Sequence, residues 1–528
     1  MTESFSDTIQ SSARGGILLF VGYFLSLVIL AICSIIVARL LGPNGYGLFV
    51  LALVVPNLIL YFLDLGVGTA LTRFAAKFRA EGRNDLAASI LKSGFFYIFF
   101  TSVIFSILCF LFSDSLATYV LNRPSMGLFI KLSSLMILLQ TSFNYLSSSF
   151  IGLDKMEGNA IILNIQALVK TVLSALLLVL GFGVFGALTS HVISYIFACC
   201  LGGIFFYKLY KGLGKPSNNK FIENMRLMIS YGFPLYVSNL LGTVISQIQL
   251  LILALFVSNM DIGNFNVATG LLTLISVLTY PAAALFPAFS KVKRGTSELN
   301  SLFKFSVKYT AIFVVPGTLI TAILSKDIVF TLYGRVYTSA PLFLSLYVLT
   351  NLYAGFGSVV INYIIYGSGE TRISLYSGLI NMIIFLPLAF LLTKFYGVPG
   401  FLIAIIISFT CSFAYSLWAI IKKLQVKFDL KSSSRIYLAS ILSAIPTLLL
   451  SLYVQSASQQ FYYRFLGLIL YACVFVFLYL TLLPAVKAIE ESDIENFRLL
   501  LKRIKLIQPL INLVLTYESN LISIFKRE

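Results

Sequence analysis

Runs of 18 or more apolar residues recur along the whole length of this 528-residue chain. A helix needs roughly 20 such residues to cross about 30 Å of hydrocarbon. Inside a bilayer every backbone N–H and C=O of a spanning segment has to be paired within the segment, which a helix does and an open strand does not. The chain is therefore read as all-α: a polytopic membrane protein of about fourteen transmembrane helices. Composition agrees, with 11% charged residues against about 25% in a soluble domain.

The helices are expected near 16–40, 46–66, 89–112, 128–150, 160–180, 185–208, 231–257, 263–285, 304–325, 341–366, 372–393, 398–421, 436–455 and 461–484. LGPNG, GFGVFG, YGSGE and YGVPG supply Gly/Pro turn signals at the breaks. The polar N-terminus (1–15) is followed by a long apolar run without a small-residue cleavage site, so a retained first helix is expected. An even count puts both termini on one side. Thirty of the 38 Lys and Arg fall on that side, and seven (Arg39, Arg123, Lys131, Lys326, Arg335, Lys394, Arg464) fall opposite. By the positive-inside rule both termini are cytoplasmic, in a multi-pass cell-membrane protein. The net charge of +18 follows from topology and contact with anionic lipid and does not imply nucleic acid. In the tail, 485–528, Ile494, Phe497, Leu501 and Ile504 share one face and Arg498, Lys502, Arg503 and Lys505 lie elsewhere around it. This predicts a basic amphipathic helix on the inner membrane surface.

A shift of 216 lays 35–52 over 250–268, so that Ala38 meets Ala254, Gly47 meets Gly263, Phe49 meets Phe265 and Lys77 meets Lys293. GLDK (152–155) meets GSGE (367–370) at 215, and GFGVFGA meets YGVPGF at 214. Three near-equal shifts in order indicate an internal repeat of six helices. Six is even, so the halves are parallel repeats, an arrangement in which transporters place substrate between the halves. The expected organisation is a first six-helix lobe (16–210), a cytoplasmic linker (211–230), a second lobe (231–421), helices 13 and 14 (422–484) and the tail.

Ionisable groups within the membrane cost roughly 2.5–3.5 kcal/mol on insertion scales and tend to face a bundle interior or wet cavity. Gln166, Lys170 and Ser174 form one polar stripe at i, i+4, i+8. Asn239, Thr243 and Gln247 form a second, and Asn57, Tyr61 and Asp64 a third. His191, the one histidine, lies within a helix beside Thr189, Ser190 and Ser194. Interhelical hydrogen bonding is the competing explanation for each. It fits Lys170 least, because a cation at mid-depth is a poor fastener and a good anion site. Asp64 opens LDLGVGTALTRFAAKFRAEGRND (63–85) and is expected to act at a gate, paired with a cation such as Arg73. The six cysteines all lie inside apolar runs as packing residues. The chain has no GxxxxGK phosphate loop, no HExxH and no metal-ligand cluster, so neither an enzyme nor a cofactor is expected.

VARLLGPNGYGLF (37–49) followed by LDLGVGTALTRFAAK (63–77) resembles the opening of the polysaccharide transporter family. These are the O-antigen and oligosaccharide-lipid flippases of the multidrug/oligosaccharidyl-lipid/polysaccharide exporter superfamily. Residues 150–188 look like the family's helix 4–5 region. The resemblance implies two six-helix lobes around a central cavity plus two extra helices. Its cargo would be a polyprenyl phosphate- or diphosphate-linked saccharide, flipped from the inner to the outer face by alternating access. It also implies membrane lipid and the glycosyltransferases or polymerase of the same pathway as partners. Matched by position, Arg39, Asp64, Gly66, Gly68 and Arg73 become gating or lobe-contact residues. Lys170, Gln166, Asn239, Gln247 and Asn57 become the substrate-binding candidates, with Lys170 for the phosphate. A cation-coupled small-molecule exporter of the same superfamily is the main alternative; it calls for more cavity acids than Asp64 alone. A membrane glycan polymerase or ligase, which would present outward acids, and a non-transporting scaffold are further alternatives.

Overall fold

The structure, a computed structural model, describes residues 2–216, 220–279, 286–292, 294–455, 461–501 and 508–525. Among them there is no strand. The chain opens with α1 (Thr2–Leu63), α2 (Val67–Ala80), α3 (Asn84–Leu111), α4 (Gly127–Gly152), α5 (Met156–Val179), α6 (Gly183–Gly212), α7 (Phe221–Phe256) and α8 (Asn259–Ser276). It continues with α9 (Ser297–Ile323), α10 (Ser325–Leu332), α11 (Ala340–Val348), α12 (Ser358–Gly367), α13 (Thr371–Leu424), α14 (Leu430–Gln455) and α15 (Phe461–Ala485). The tail forms α16 (Glu491–Leu501) and α17 (Gln508–Phe525).

Among the described residues nine helices are long and apolar enough to cross a membrane, or ten with the bent pair Ala340–Phe356 and Ser358–Gly367. Two of these are double length. The turns expected at LGPNG and YGVPG are bends inside α1 and α13, at Gly42 (φ 66°) and Gly397 (φ 60°). A left-handed residue is inexpensive only for glycine. Pro43, directly after the first bend, has no N–H to leave unpaired, so helical bonding resumes within a turn. Divided at the bends, these spans number twelve, and α7 and α8 bring the bundle to the fourteen expected.

The chain forms two compact units, Met1–Asn266 and Val267–Glu528. In the first, α5 packs on α1 and α6, α4 on α3 and α6, and α7 rests on α1, α2 and α3. Leu71, Leu91, Phe150, Ile162 and Met228 fill its centre. Because lipid tails are as apolar as leucine, close backbone approach holds such bundles together. Gly22 of α1 lies against Ala160 of α5, where Asn164 also donates to the Gly22 carbonyl (3.2 Å). In the second unit α14 packs on α9 and α15, and the tail helices close over α15.

Two contacts join positions that the sequence shift relates. A Cβ on Gly47 would overlap the Asn259 carbonyl oxygen, and one on Gly263 would overlap that of Pro43. Under the shift of 216, Gly47 corresponds to Gly263 and Pro43 to Asn259, so the two contacts, both within the first unit, are made by corresponding positions. A shift of 215 relates another pair. Arg79 donates to the Leu153 carbonyl in the first unit, and Arg294 to the Ser368 carbonyl in the second. In the second unit the clamp also holds a carboxylate. Glu370 accepts from Arg294 (2.6 Å) and Lys423 (3.0 Å), and the Lys423 hydrogen bond, with Arg294 beside it, keeps this carboxyl below the usual range.

The described parts of the tail are helical, Glu491–Leu501 and Gln508–Phe525. Asp493 binds Lys308 (2.5 Å) and Tyr309 (2.8 Å) of α9. Ile494 is buried, and Phe497 meets the Tyr309 ring edge-on at 4.4 Å. Two members of the expected apolar face are thus placed on α9. The side chains of Leu501, Lys502, Arg503, Ile504 and Lys505 lie outside the described residues.

Candidate functional site

At the end of α1 the chain turns sharply through Leu65 (φ 43°) and Gly66 (φ 80°) before entering α2. The first N–H groups of a helix have no partner within it and favour a negative charge. Asp64 meets that need. Its carbonyl accepts from Val67 (2.8 Å) and its carboxylate Oδ1 from the Gly68 N–H (3.1 Å). The expected pairing with Arg73 is not what the structure shows. The Arg73 guanidinium lies 4.0 Å from the Tyr231 ring centroid on α7 and 5.7 Å from that of Phe74. The orphaned amides of α2 lie next to Asp64 in sequence and are reached without ordering a long side chain, and a cation stacks well on an aromatic face.

Gly66 and Gly68 owe their identity to contact. A Cβ on Gly66 would overlap the Gly232 carbonyl oxygen of α7, and a Cβ on Gly232 that of Gly66. A Cβ on Gly68 would sit 3.2 Å from both Asp64 Oδ1 and Ser148 Oγ. Arg39 lies exposed on α1, three residues before the bend.

Beside this turn is a cavity of about 390 Å³. Asn57, Tyr61 and Asp64, the third of the sequence stripes, line one wall. Gln140, Asn144 and Ser148 of α4 line another, and Tyr236 of α7 reaches it. The α4 residues recur at i, i+4, i+8, the same signal that marked the other stripes, and sequence analysis passed over them. The cavity offers carboxamides, hydroxyls, phenols and one carboxylate. Carboxamides both donate and accept, which suits a ligand dense in hydroxyl groups.

The Gln166–Lys170–Ser174 stripe forms a ladder with α6. Gln166 donates to Ser194 (3.2 Å), Lys170 Nζ lies 3.3 Å from His191 Nε2, and the Ser174 and Ser190 hydroxyls are 2.6 Å apart. Gln166 and Ser174 are buried, whereas Lys170 keeps part of its surface open. An ammonium has three donors and no acceptor, so His191 accepts one of them through Nε2 and two remain. The His191 ring is stacked on Tyr195, centroids 5.5 Å apart, and Phe49 lies at 6.4 Å. His191 is thus the partner that positions Lys170. Gln247 is buried on α7, with Oε1 unpartnered. The Asn239 and Thr243 side chains lie outside the described residues.

Residues 12–293 match the family model described as "Polysaccharide biosynthesis protein". The uncharacterized membrane protein MJ1068 of Methanocaldococcus jannaschii is 23% identical over 466 residues, 83% of this chain and 90% of that one. The succinoglycan biosynthesis transport protein ExoT of Rhizobium meliloti is 22% identical over 307 residues, 58% and 59% of the two chains. In fold, the chain is similar to the lipid II flippase MurJ in its inward closed conformation, with a TM-score of 0.67 at 14% identity over 88% of this chain and 98% of that one. The chain belongs to the family described as "Polysaccharide biosynthesis protein", as a multi-pass membrane protein whose fold is similar to that of MurJ.

Proposed function

We propose that the chain is a flippase that carries a polyprenyl phosphate- or diphosphate-linked oligosaccharide or polysaccharide unit from the inner to the outer face of the cell membrane by alternating access. The observation that carries this reading is the division of polar chemistry in the first unit. One cavity is rich in carboxamides, hydroxyls and phenols, and a largely buried cation, Lys170, stands apart on its own ladder. A lipid-linked glycan divides in the same way, with many hydroxyls and a single phosphate group. Asn57, Gln140 and Asn144 take the sugar hydroxyls, and Lys170 takes the phosphate as a compact point charge. Membership of the family and the relatedness to a succinoglycan biosynthesis transport protein support the glycan.

Alternating access requires a difference in affinity between inward and outward states and no more. The Gly66–Gly232 approach is the seam at which α2 and α7 close, and Asp64, which caps α2, sets that helix end. Arg73 on Tyr231 and Arg39 beside the Gly42 bend belong to the same gating region. The Lys and Arg bias supports cytoplasmic termini, and with that orientation cargo enters beside the Asp64 turn. The glycosyltransferases or polymerase that make and consume the cargo are the partners this assigns.

The test is translocation in proteoliposomes loaded with candidate lipid-linked glycans. The wild-type chain moves one of them, and Lys170→Ala, at equal insertion, moves it at least tenfold more slowly. Equal rates would remove Lys170 from the site. Transport of small organic cations in place of every glycan tested would favour the exporter reading.

A further inference from the structure

Seven Lys and Arg lie on the side opposite the termini. A chain that keeps its positive charge inside has reason to minimise these, so each one invites a question. Two have local tasks. Arg123 clamps the turn between α7 and α8 through Asn259 Oδ1 (3.0 Å) and the Val257 carbonyl (2.6 Å), and Lys131 pairs with Asp114 at 2.8 Å. Three of the others, Lys326, Arg335 and Arg464, converge on one cavity of about 1070 Å³ in the second unit.

The cavity is formed where α9 passes into α10, where α14 ends and where α15 begins. It therefore lies at the ends of these spans remote from the tail. Among the described residues Asp327 is the one carboxylate lining it; Asp327 attracts the Arg464 charge and Arg335 repels it, and three cations against one carboxylate leave an excess of positive charge. Lys326 and Arg335 are exposed and Arg464 is half-buried. One side of the cavity is apolar, formed by Leu466 and Leu470 of α15. Both leucines are exposed, at 43% and 48%, on a helix apolar enough to span the bilayer. Cations gathered at a membrane edge beside an open apolar wall are complementary to one class of ligand.

We infer that this cavity binds a phosphate-bearing amphiphile, its phosphate held by Arg335, Arg464 and Lys326 and its chain lying along Leu466 and Leu470. Arginine forks pair phosphate oxygens in two parallel bonds. The phosphate belongs either to a bilayer phospholipid or to a polyprenyl-linked cargo leaving the transporter. The site itself does not depend on the flippase reading, and only the second source does.

Native mass spectrometry of the full chain in detergent tests this, with three probes: palmitoyl-oleoyl phosphatidylglycerol, a polyprenyl phosphate and, lacking phosphate, dioleoylglycerol. The wild-type chain binds both phosphate probes at least about tenfold more tightly than the diacylglycerol. Each arginine changed to glutamine weakens them about tenfold, the scale of one charge-assisted bond. The Arg335→Lys/Arg464→Lys double variant, which keeps the charge and loses the forks, binds more weakly than wild type and more tightly than Arg335→Gln/Arg464→Gln, which separates loss of charge from misfolding. Preference for the polyprenyl phosphate over the phospholipid assigns the site to cargo, and equal affinity assigns it to bilayer lipid. Unchanged binding in Arg335→Gln/Arg464→Gln overturns the inference, as does diacylglycerol binding equal to that of the phosphate probes.

Discussion

The repeat lets the two halves of the chain serve as controls for each other. On α5, Gln166, Lys170 and Ser174 face Ser194, His191 and Ser190 of α6. A shift of 215 carries the α5 residues onto Asn381, Phe385 and Ala389 of α13, and after the glycine turn a shift of 214 carries His191 onto Ile405. Phe385 and Ala389 are buried, Ile405 nearly so, and Phe385 meets Phe401 edge-on with centroids 5.6 Å apart. One helix pair is thus built twice, once around a polar ladder and once around an aromatic and aliphatic core. The second half keeps polar residues, Asn381 and the buried Ser408, only at the Gln166–Ser194 rung, so the fold there does without the Lys170–His191 and Ser174–Ser190 rungs. A polar pair inside a membrane bundle costs free energy, and under the proposed function that cost is met by anion recognition at Lys170.

The largest expected effect comes from moving the ladder to the wrong half. Phe385→Lys/Ile405→His places a cation in a closed apolar site and lowers stability by about 3 kcal/mol or more, measured as a drop in unfolding temperature with no gain in transport. Tolerance of that double change would mean the two sites differ less than their packing indicates. Next are the cavity residues Gln140 and Asn144, whose repeat counterparts are Gly355 and Val359. The Gln140→Ala/Asn144→Ala variant is expected to raise the apparent KM for a glycan cargo by tenfold or more, since a polar site left unpaired loses about 1–3 kcal/mol per group. No change in KM would remove this cavity from the site. Asp64→Asn has a smaller effect, a few-fold on the cycling rate, because asparagine caps a helix about as well as aspartate. Abolished transport with a new pH dependence would instead make Asp64 a proton carrier.

The smallest effect is on the tail. Glu518 of α17 is buried against an apolar cavity with both carboxylate oxygens unpartnered, and burial pushes its carboxyl up to about 8. An acid whose pKa is raised on docking contributes fully below its free value of about 4.3 and loses that contribution as pH rises toward 8. Protection of α17 from amide exchange is therefore expected to weaken between pH 5 and 8, and Glu518→Gln to hold it at the acidic level throughout. An identical pH profile in the variant would exclude Glu518.

The membrane class and the number of helices were legible because hydrocarbon thickness and backbone pairing act on every residue of a span. Lys170 and the Asn57–Tyr61–Asp64 wall were legible from helical spacing. The Gln140–Asn144–Ser148 stripe carried the same signal, with no charge to draw attention to it. His191 could also have been paired with Lys170 in advance. The two helices meet at a tight glycine turn, and residues 170 and 191 are equally far from its centre, as 166 and 194 nearly are. The capping of α2 by Asp64 was harder to see, because a nearby arginine competes on paper and an aromatic ring from a distant helix decides the matter. The burial of Glu518 depends on how the tail folds back, which local pattern does not encode.

The central claim is that the polar face of the first half does the work and its apolar counterpart marks what the fold alone requires. Translocation of a lipid-linked glycan by the Lys170→Phe/His191→Ile variant in proteoliposomes tests it most directly, since it installs the second half's own solution. The account predicts an unfolding temperature at or above wild type with translocation reduced at least a hundredfold. Translocation at the wild-type rate in that variant would contradict it.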